Sequence, residues 1–293
     1  MPKSFALVLL LALLWGASFP LIKVAVETIP PLTVTAVRAL LGGLLLLAAL
    51  GPAGAKALWV MGTRSTAFVT QALFNCVFPW ILVAWASRSI DSGLATILNS
   101  LSPIFIFLLT WAITRHEPAT PRKFIGVSLG LAGVIAIIGV NALSGVGTHT
   151  LAELACVAGS FCYAVAAILG RRFDKVPPLV PAAGSALMAA VFMVPIALVV
   201  DQPWELRPSF ASMASVVALA VFSTGFAFVV YFRLLSTVGS IATSSQAYLR
   251  ILIGVGLGIV FLGEKLSASV MIGLPLVVAG VVAMTMPAYR GTR

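Results

Sequence analysis

The chain has 293 residues, of which 61% are hydrophobic and only 9% charged, with a formal net charge of +10. So little polar surface cannot cover a soluble globule of this size, which excludes a soluble enzyme and points to an integral membrane protein. The positive charge does not call for a nucleic-acid partner, because it is scattered over short loops that face anionic lipid.

Apolar runs of about 20 residues, enough for a helix to cross roughly 30 Å of hydrocarbon, recur along the whole chain. The first, 5–25, follows Lys3 but runs too far for a signal peptide and lacks a small-residue cleavage site, so it reads as a retained helix. The others fall at 33–51, 66–86, 92–113, 124–141, 151–170, 179–200, 210–233, 240–262 and 269–287, making ten spans. Between them, 30–31, 51–56, 114–123, 144–150, 174–178 and 201–209 carry Gly, Pro and charge and read as loops. With the N terminus in the cytoplasm, the inner side holds twelve Lys and Arg (Lys3, Lys56, Arg64, Arg115, Arg122, Lys123, Arg171, Arg172, Lys175, Arg233, Arg290, Arg293). The outer side then holds four, Lys23, Arg88, Arg207 and Lys265. The positive-inside rule thus predicts both termini in the cytoplasm. Cys76, Cys156 and Cys162 fall inside spans at spacings that suit neither a disulfide framework nor a zinc site, and read as small packing residues.

The chain repeats itself. Residues 93–136 laid over 240–283 without gaps give 12 identities in 44 positions, including Glu117/Glu264, Gly126/Gly273 and Gly133/Gly280. Ten spans in two copies give five per repeat, 1–143 and 150–293, and an odd number inverts the second copy. The predicted fold is an all-α integral membrane protein, two inverted five-helix repeats around a central cavity. The paired glycines, seven residues apart, let helices approach closely in lipid. Gly254, Gly256 and Gly258 form a G-x-G-x-G run, but no strand precedes it, so it is not a nucleotide site.

This layout resembles the drug/metabolite transporter superfamily and, within it, the EamA family. Trp15 in LLWGASFPL, Arg38 in TAVRALLGG, Pro103 in NSLSPIF and the Glu117/Gly126/Gly133 and Glu264/Gly273/Gly280 sets carry the resemblance over essentially the whole chain. It implies export of small metabolites by alternating access, with the amino-acid exporters of the YddG type as the nearest guess. One departure stands out: Arg250 occupies the place where the second repeat should echo Pro103, so a symmetric proline hinge does not carry over.

Arg250 lies near the midplane of the ninth span, where a charge costs roughly 3 kcal/mol or more. It is either an anchor for a substrate carboxylate, which guanidinium matches bidentately, or a structural arginine satisfied by neighbouring groups. Arg38, nearer the outer end of the second span, reads as a structural arginine tying the first two helices, within reach of the interface or Glu27. Gln71, Asn75, Phe78, Leu82 and Trp85 fall at helical spacing on the third span, a stripe that should not face lipid. Thr96, Asn99 and Pro103 on the fourth span match Thr243, Gln246 and Arg250 on the ninth. These stripes line the cavity or make interhelical hydrogen bonds of about 0.6 kcal/mol each. Trp15 and Tyr163 are candidate aromatic walls and Tyr231 and Tyr248 candidate hydroxyls, with ordinary packing as the alternative. Trp59 and Trp204 read as interface anchors. Pro20, Pro79, Pro195 and Pro275 predict kinks that are either gates or fixed bends. Glu117, Glu264, Pro103 and Arg38 form the structural or gating set.

All eight carboxylates fall near span ends or in loops, so no proton relay is evident and uncoupled, facilitative export is expected. His116 and His149 fall in loops on opposite sides, which leaves no His-based metal site and no Ser/His dyad for an intramembrane enzyme. The expectation is a monomeric, multi-pass exporter of the bacterial-type inner membrane with no cofactor or metal. Its substrate would be a small molecule, neutral or aromatic amino acids first and purines or drug-like amphiphiles, with or without proton coupling, second.

Overall fold

The computed structural model describes residues 2–114, 120–143, 148–173, 176–231, 233–234 and 246–285. Among these residues the elements are all helical. In chain order they are α1 (Pro2–Gly16), α2 (Ser18–Ala25), α3 (Pro31–Ala49), α4 (Gly54–Thr63), α5 (Ser65–Ala72), α6 (Phe78–Ala86) and α7 (Ser92–Asn99). They continue as α8 (Ser102–Leu109), α9 (Pro121–Leu143), α10 (Thr148–Gly170), α11 (Leu179–Val200), α12 (Phe210–Ala218), α13 (Gln246–Leu262) and α14 (Ala268–Thr285).

Among the described residues, seven helical runs are long and apolar enough to cross a membrane: Ala6–Ala25, Pro31–Ala49, Ser65–Ala86, Ser92–Ala112, His149–Gly170, Leu179–Val200 and Phe210–Tyr231. The expected fifth and tenth spans coincide with α9 and α14, and α13 covers the expected ninth from Gln246 onward, residues 240–245 lying outside the described residues. Proline sets two starts, since its missing N–H costs nothing at the first helical position: α3 begins at Pro31 and α9 at Pro121, three residues before the expected boundary. The expected loop 51–56 is largely helical instead. Gly51, at φ +53°, makes the turn that a side chain would strain, and α4 follows with Trp59 facing outward, 68% exposed.

Several runs are not simple α-helices. Leu73–Val77, Thr110–Thr114 and Leu219–Phe226 are π-helical, and a π-turn rotates every side chain that follows it. Pro79 lies just after the first π-turn and Pro103 opens α8 after the break at Ser100–Leu101, whereas Pro195 and Pro275 sit inside continuous helices. Proline thus stands both at breaks and within unbroken helix.

Glycine sets the tightest contacts. A Cβ added at Gly280 would lie 2.6 Å from Gly130 N and 2.7 Å from Gly126 O, and one at Gly133 would lie 2.8 Å from Gly273 O. Backbone therefore touches backbone between α9 and α14, with Gly133 facing Gly273 and Gly280 facing Gly126. On α3, a Cβ at Gly42 would lie 2.6 Å from Thr224 Cγ2 and one at Gly43 would lie 2.9 Å from Leu187 Cδ2. Those contacts draw α3 against the π-helical Leu219–Phe226 segment and against α11, and they set the depth at which Arg38 works.

Candidate functional site

Arg250 sits one helical turn into α13. Its Nη2 donates to Ser100 Oγ at 3.0 Å, and its Nε is buried with no acceptor. Ser100 is fully buried at the break between α7 and α8, and its hydroxyl donates 2.7 Å to Thr96 O, which leaves its lone pairs for the guanidinium. The break supplies the site: an uninterrupted helix would carry Ser100 onward in α-helical register. Packing against α1 is equally close, since a Cβ at Gly16 would lie 3.2 Å from Arg250 O.

Arg38 is 8% exposed and does not reach Glu27 or the interface. Its guanidinium lies over the Trp80 ring, 4.2 Å from the centroid, and its Nε donates to Thr224 Oγ1 at 3.0 Å. It therefore ties α3 to α6 and to the π-helical 219–226 segment rather than to the first helix. The approach at Gly42 explains this, because it sets Thr224 within one turn of Arg38. Tyr163 on α10 packs against the cluster that contains Trp80, one turn beyond Gly159, which Asn99 faces. Three spans from the first half of the chain, carrying Arg38, Trp80 and Ser100, and three from the second, carrying Tyr163, Thr224 and Arg250, thus supply two cations, a phenol and their partners.

Asn99 Nδ2 beside Ser100 and Gln246 Oε1 one turn before Arg250 are buried without a partner, as is Gln71 Oε1, whose side chain lies by Gly170 at the end of α10. Asn99 is 3% exposed and faces Gly159 of α10. Such atoms cost free energy unless a ligand or water meets them, which is why they mark a binding region. Asn75 is half-buried with its Nδ2 3.7 Å from Cys76 Sγ. Gln71 is buried while Phe78 is 43% exposed and stacks edge-on with Phe74, so the expected five-residue stripe does not stay on one face. The π-turn at Leu73–Val77 is the reason, because α-helical spacing does not hold across it. Trp15 and Tyr231 meet, as ring centroids 5.5 Å apart, with Phe228 6.2 Å from Trp15. Pro103 lies in the first turn of α8. Tyr248 belongs to α13, but its side chain, like Thr243 and Glu117, lies outside the described residues.

Glu264 has a definite task. Its Oε1 accepts from Ser92 N at 2.6 Å and its Oε2 from Gly93 N at 3.0 Å, so a carboxylate from the α13–α14 loop caps the N-terminus of α7. The first N–H groups of a helix lack internal partners and carry positive partial charge, which makes this a favourable seat for an anion. Neighbouring contacts brace the same rim: Lys23 Nζ donates to Ile90 O at 2.8 Å, and Asp201 Oδ2 accepts from Thr33 N and Oγ1 at 2.9 and 2.7 Å. Lys23, Glu27, Asp91, Glu264 and Lys265 line a recess of about 370 Å³ there. Burial and then the Glu264 charge raise the Asp91 carboxyl above the usual carboxylate range, against the opposing pull of Lys23 and His149. Among the described residues no group of three His, Cys, Asp or Glu gathers that could hold a metal.

Sequence reasoning singled out Arg38, Arg250 and Glu264 but not what they meet. Ser100, Trp80 and Thr224 gave no signal beyond being polar or aromatic within an apolar span.

The EamA-like transporter family model matches residues 3–139 and again residues 150–286. The chain belongs to this family. Relatives align along almost the full length. An uncharacterized inner membrane transporter of Escherichia coli, YedA, is 28% identical over 97% of this chain and 91% of its own. An uncharacterized transporter of Archaeoglobus fulgidus is 26% identical over 97% of both chains. Protein PagO of Salmonella typhimurium is 23% identical over 93% of this chain and 90% of its own. A crystal structure of a protein 21% identical superposes over 99% of both chains with a TM-score of 0.67, a likeness of fold. This EamA-family protein is therefore a membrane transporter, and its apolar helices make it multi-pass.

Proposed function

We propose that this transporter exports small carboxylate-bearing metabolites, neutral and aromatic amino acids foremost, as the YddG-type exporters do. Arg250 carries the reading: a cation deep in an apolar bundle, hydrogen-bonded to one neutral hydroxyl and holding a buried unpaired Nε, is a ready seat for a carboxylate. The unpaired acceptors Gln71 Oε1 and Gln246 Oε1 suit an ammonium, and the Trp15, Phe228 and Tyr231 rings suit an apolar side chain.

The architecture behind this is two inverted five-helix repeats, 1–143 and 150–293, rocking about a central substrate site. Two observations support it: the family model matches twice, and the repeat glycines pair crosswise, Gly133 with Gly273 and Gly280 with Gly126. A two-fold axis between α9 and α14 produces that crossing. Placement in a bacterial-type inner membrane rests on the printed name of the Escherichia coli relative, and cytoplasmic termini rest on the charge asymmetry of the loops. The protein works as a monomer without a cofactor, and transport is facilitative. A second reading, export of planar amphiphiles such as purines or drug-like molecules, draws on the same aromatic cluster at Trp15.

The experiment is efflux from proteoliposomes loaded with a mixed amino-acid panel, with and without an imposed proton gradient, read by mass spectrometry. Selective loss of amino acids that is independent of the gradient, and abolished in a folded Arg250→Gln variant, is the expected result. Efflux that survives Arg250→Gln unchanged refutes the carboxylate anchor, and stoichiometric proton flux refutes the facilitative mechanism.

A further inference from the structure

Arg38 and Arg250 share one neighbour and lack the same thing. Arg38 stacks on Trp80 in the cluster against which Tyr163 packs, and Arg250 is held by Ser100, next to Asn99, which faces Gly159 one turn before Tyr163; each arginine makes a single hydrogen bond, to Thr224 and Ser100 respectively. A guanidinium has five N–H donors, so most of both donor sets are unused. No carboxylate among the described residues pairs with either. Glu264 and Asp201 are engaged at the rim. Two positive charges therefore sit in an apolar interior with no described negative charge to offset them.

Charge balance then selects the ligand. A substrate with one anionic group meets one guanidinium and leaves the other unmet, whereas two anionic groups meet both; in a low-dielectric interior the unmet cation is the costly one. Stacking on Trp80 holds the plane of the Arg38 guanidinium and leaves its outer edge for a two-point contact. We propose that Arg38 and Arg250 form a single two-cation site across Tyr163, whose preferred substrate is a small organic molecule bearing two anionic groups, one on each guanidinium. Dicarboxylates and phosphate monoesters share that chemistry, as does an acidic amino acid, whose ammonium the unpaired Gln246 Oε1 accepts. This rests on the Arg250 anchor and departs from the foregoing reading in the number of charges. Export of such an anion needs no proton, because an interior-negative potential favours its exit by roughly 50-fold per net charge per 100 mV.

The test uses the full-length protein in liposomes loaded with equal amounts of lactate, succinate, glutamate, glycerol 3-phosphate and phenylalanine, with the potential clamped by potassium and valinomycin. The wild type is expected to release at least one of the doubly anionic compounds roughly tenfold faster than lactate or phenylalanine, and to release it faster as the interior is made more negative. Succinate and glycerol 3-phosphate distinguish the carboxylate and phosphate sources. Arg38→Gln is expected to reduce that preference to about threefold or less, and Arg38→Lys, which keeps the charge, is expected to restore part of it. Faster release of phenylalanine than of every doubly anionic compound overturns the two-cation site and leaves the Arg250 anchor standing if Arg250→Gln still abolishes phenylalanine efflux. An equal slowing of all compounds by Arg38→Gln in folded protein also overturns it, by reducing Arg38 to a packing role. If Arg250→Gln slows nothing, both readings fall. The wild-type selectivity is decisive by itself should the variants fail to fold.

Discussion

Replacing Gly280 with alanine adds one methyl group where two backbones touch. The new Cβ would lie 2.6 Å from Gly130 N, 2.7 Å from Gly126 O and 2.9 Å from Gly130 Cα, and none of these atoms belongs to a side chain that can turn aside. Restoring ordinary contact parts α9 from α14 by about 0.8 Å, a gap that forfeits a quarter to a half of the dispersion energy of each atom pair beside it. The expected cost is ~1–3 kcal/mol, the usual range for overpacking. Gly256 on α13 is the control, because a Cβ there meets nothing within 4 Å. Alanine at that site gains roughly 0.5–1 kcal/mol from its better helix propensity. Thermal unfolding of the purified protein in one detergent should therefore show opposite shifts, with Gly280→Ala lower by roughly 2–12 °C at two to four degrees per kcal/mol. Gly133→Ala should resemble Gly280→Ala, and the double variant should cost less than the sum, since helices already parted by one methyl accommodate the second. The reasoning is refuted if Gly280→Ala and Gly256→Ala shift the midpoint in the same direction by similar amounts.

Two carboxylates that cap distant helices should be worth more than their surface positions suggest. Glu264→Ala removes both acceptors from Ser92 N and Gly93 N and is expected to cost roughly 2–3 kcal/mol, with Asp201→Ala costing about 1–2 kcal/mol through Thr33. Hydrogen exchange should accelerate at Ser92 and Gly93 in the first variant and at Thr33 in the second; unchanged exchange at those amides would count against the caps. Asp91 gives a pH dependence of known sign. Its carboxyl is raised in the folded protein by burial and by Glu264, so its contribution to stability is full below the unfolded value near 3.9 and is lost as pH rises through the folded value. Relative to Asp91→Asn, the wild type should lose stability over that interval and then level off, and a difference that grows in the other direction contradicts the assignment.

Much of this molecule is legible in its sequence. Apolar run length alone places the helices, because a backbone in hydrocarbon has few ways to satisfy its hydrogen bonds. The glycine pairs of the duplicated segment mark where α9 and α14 touch. The faces of the helices are less legible. In a soluble helix the buried face is the apolar one, but here lipid is as apolar as the core, so Phe78 and Trp85 at 43% exposure look no different from buried neighbours. The π-turn at Leu73–Val77 deepened the difficulty by breaking the spacing on which the third-span stripe relied.

The sequence by itself determined that this is a duplicated, helical membrane protein with arginines inside its apolar spans, because those follow from composition, periodicity and spacing along one chain. Only the tertiary structure decided what each polar side chain meets: Ser100 for Arg250, Trp80 and Thr224 for Arg38, the α7 N-terminus for Glu264. The reason is that these partners lie tens to nearly two hundred residues apart and are chosen by which helices the glycines allow to approach, a property of packing in three dimensions that no local pattern encodes.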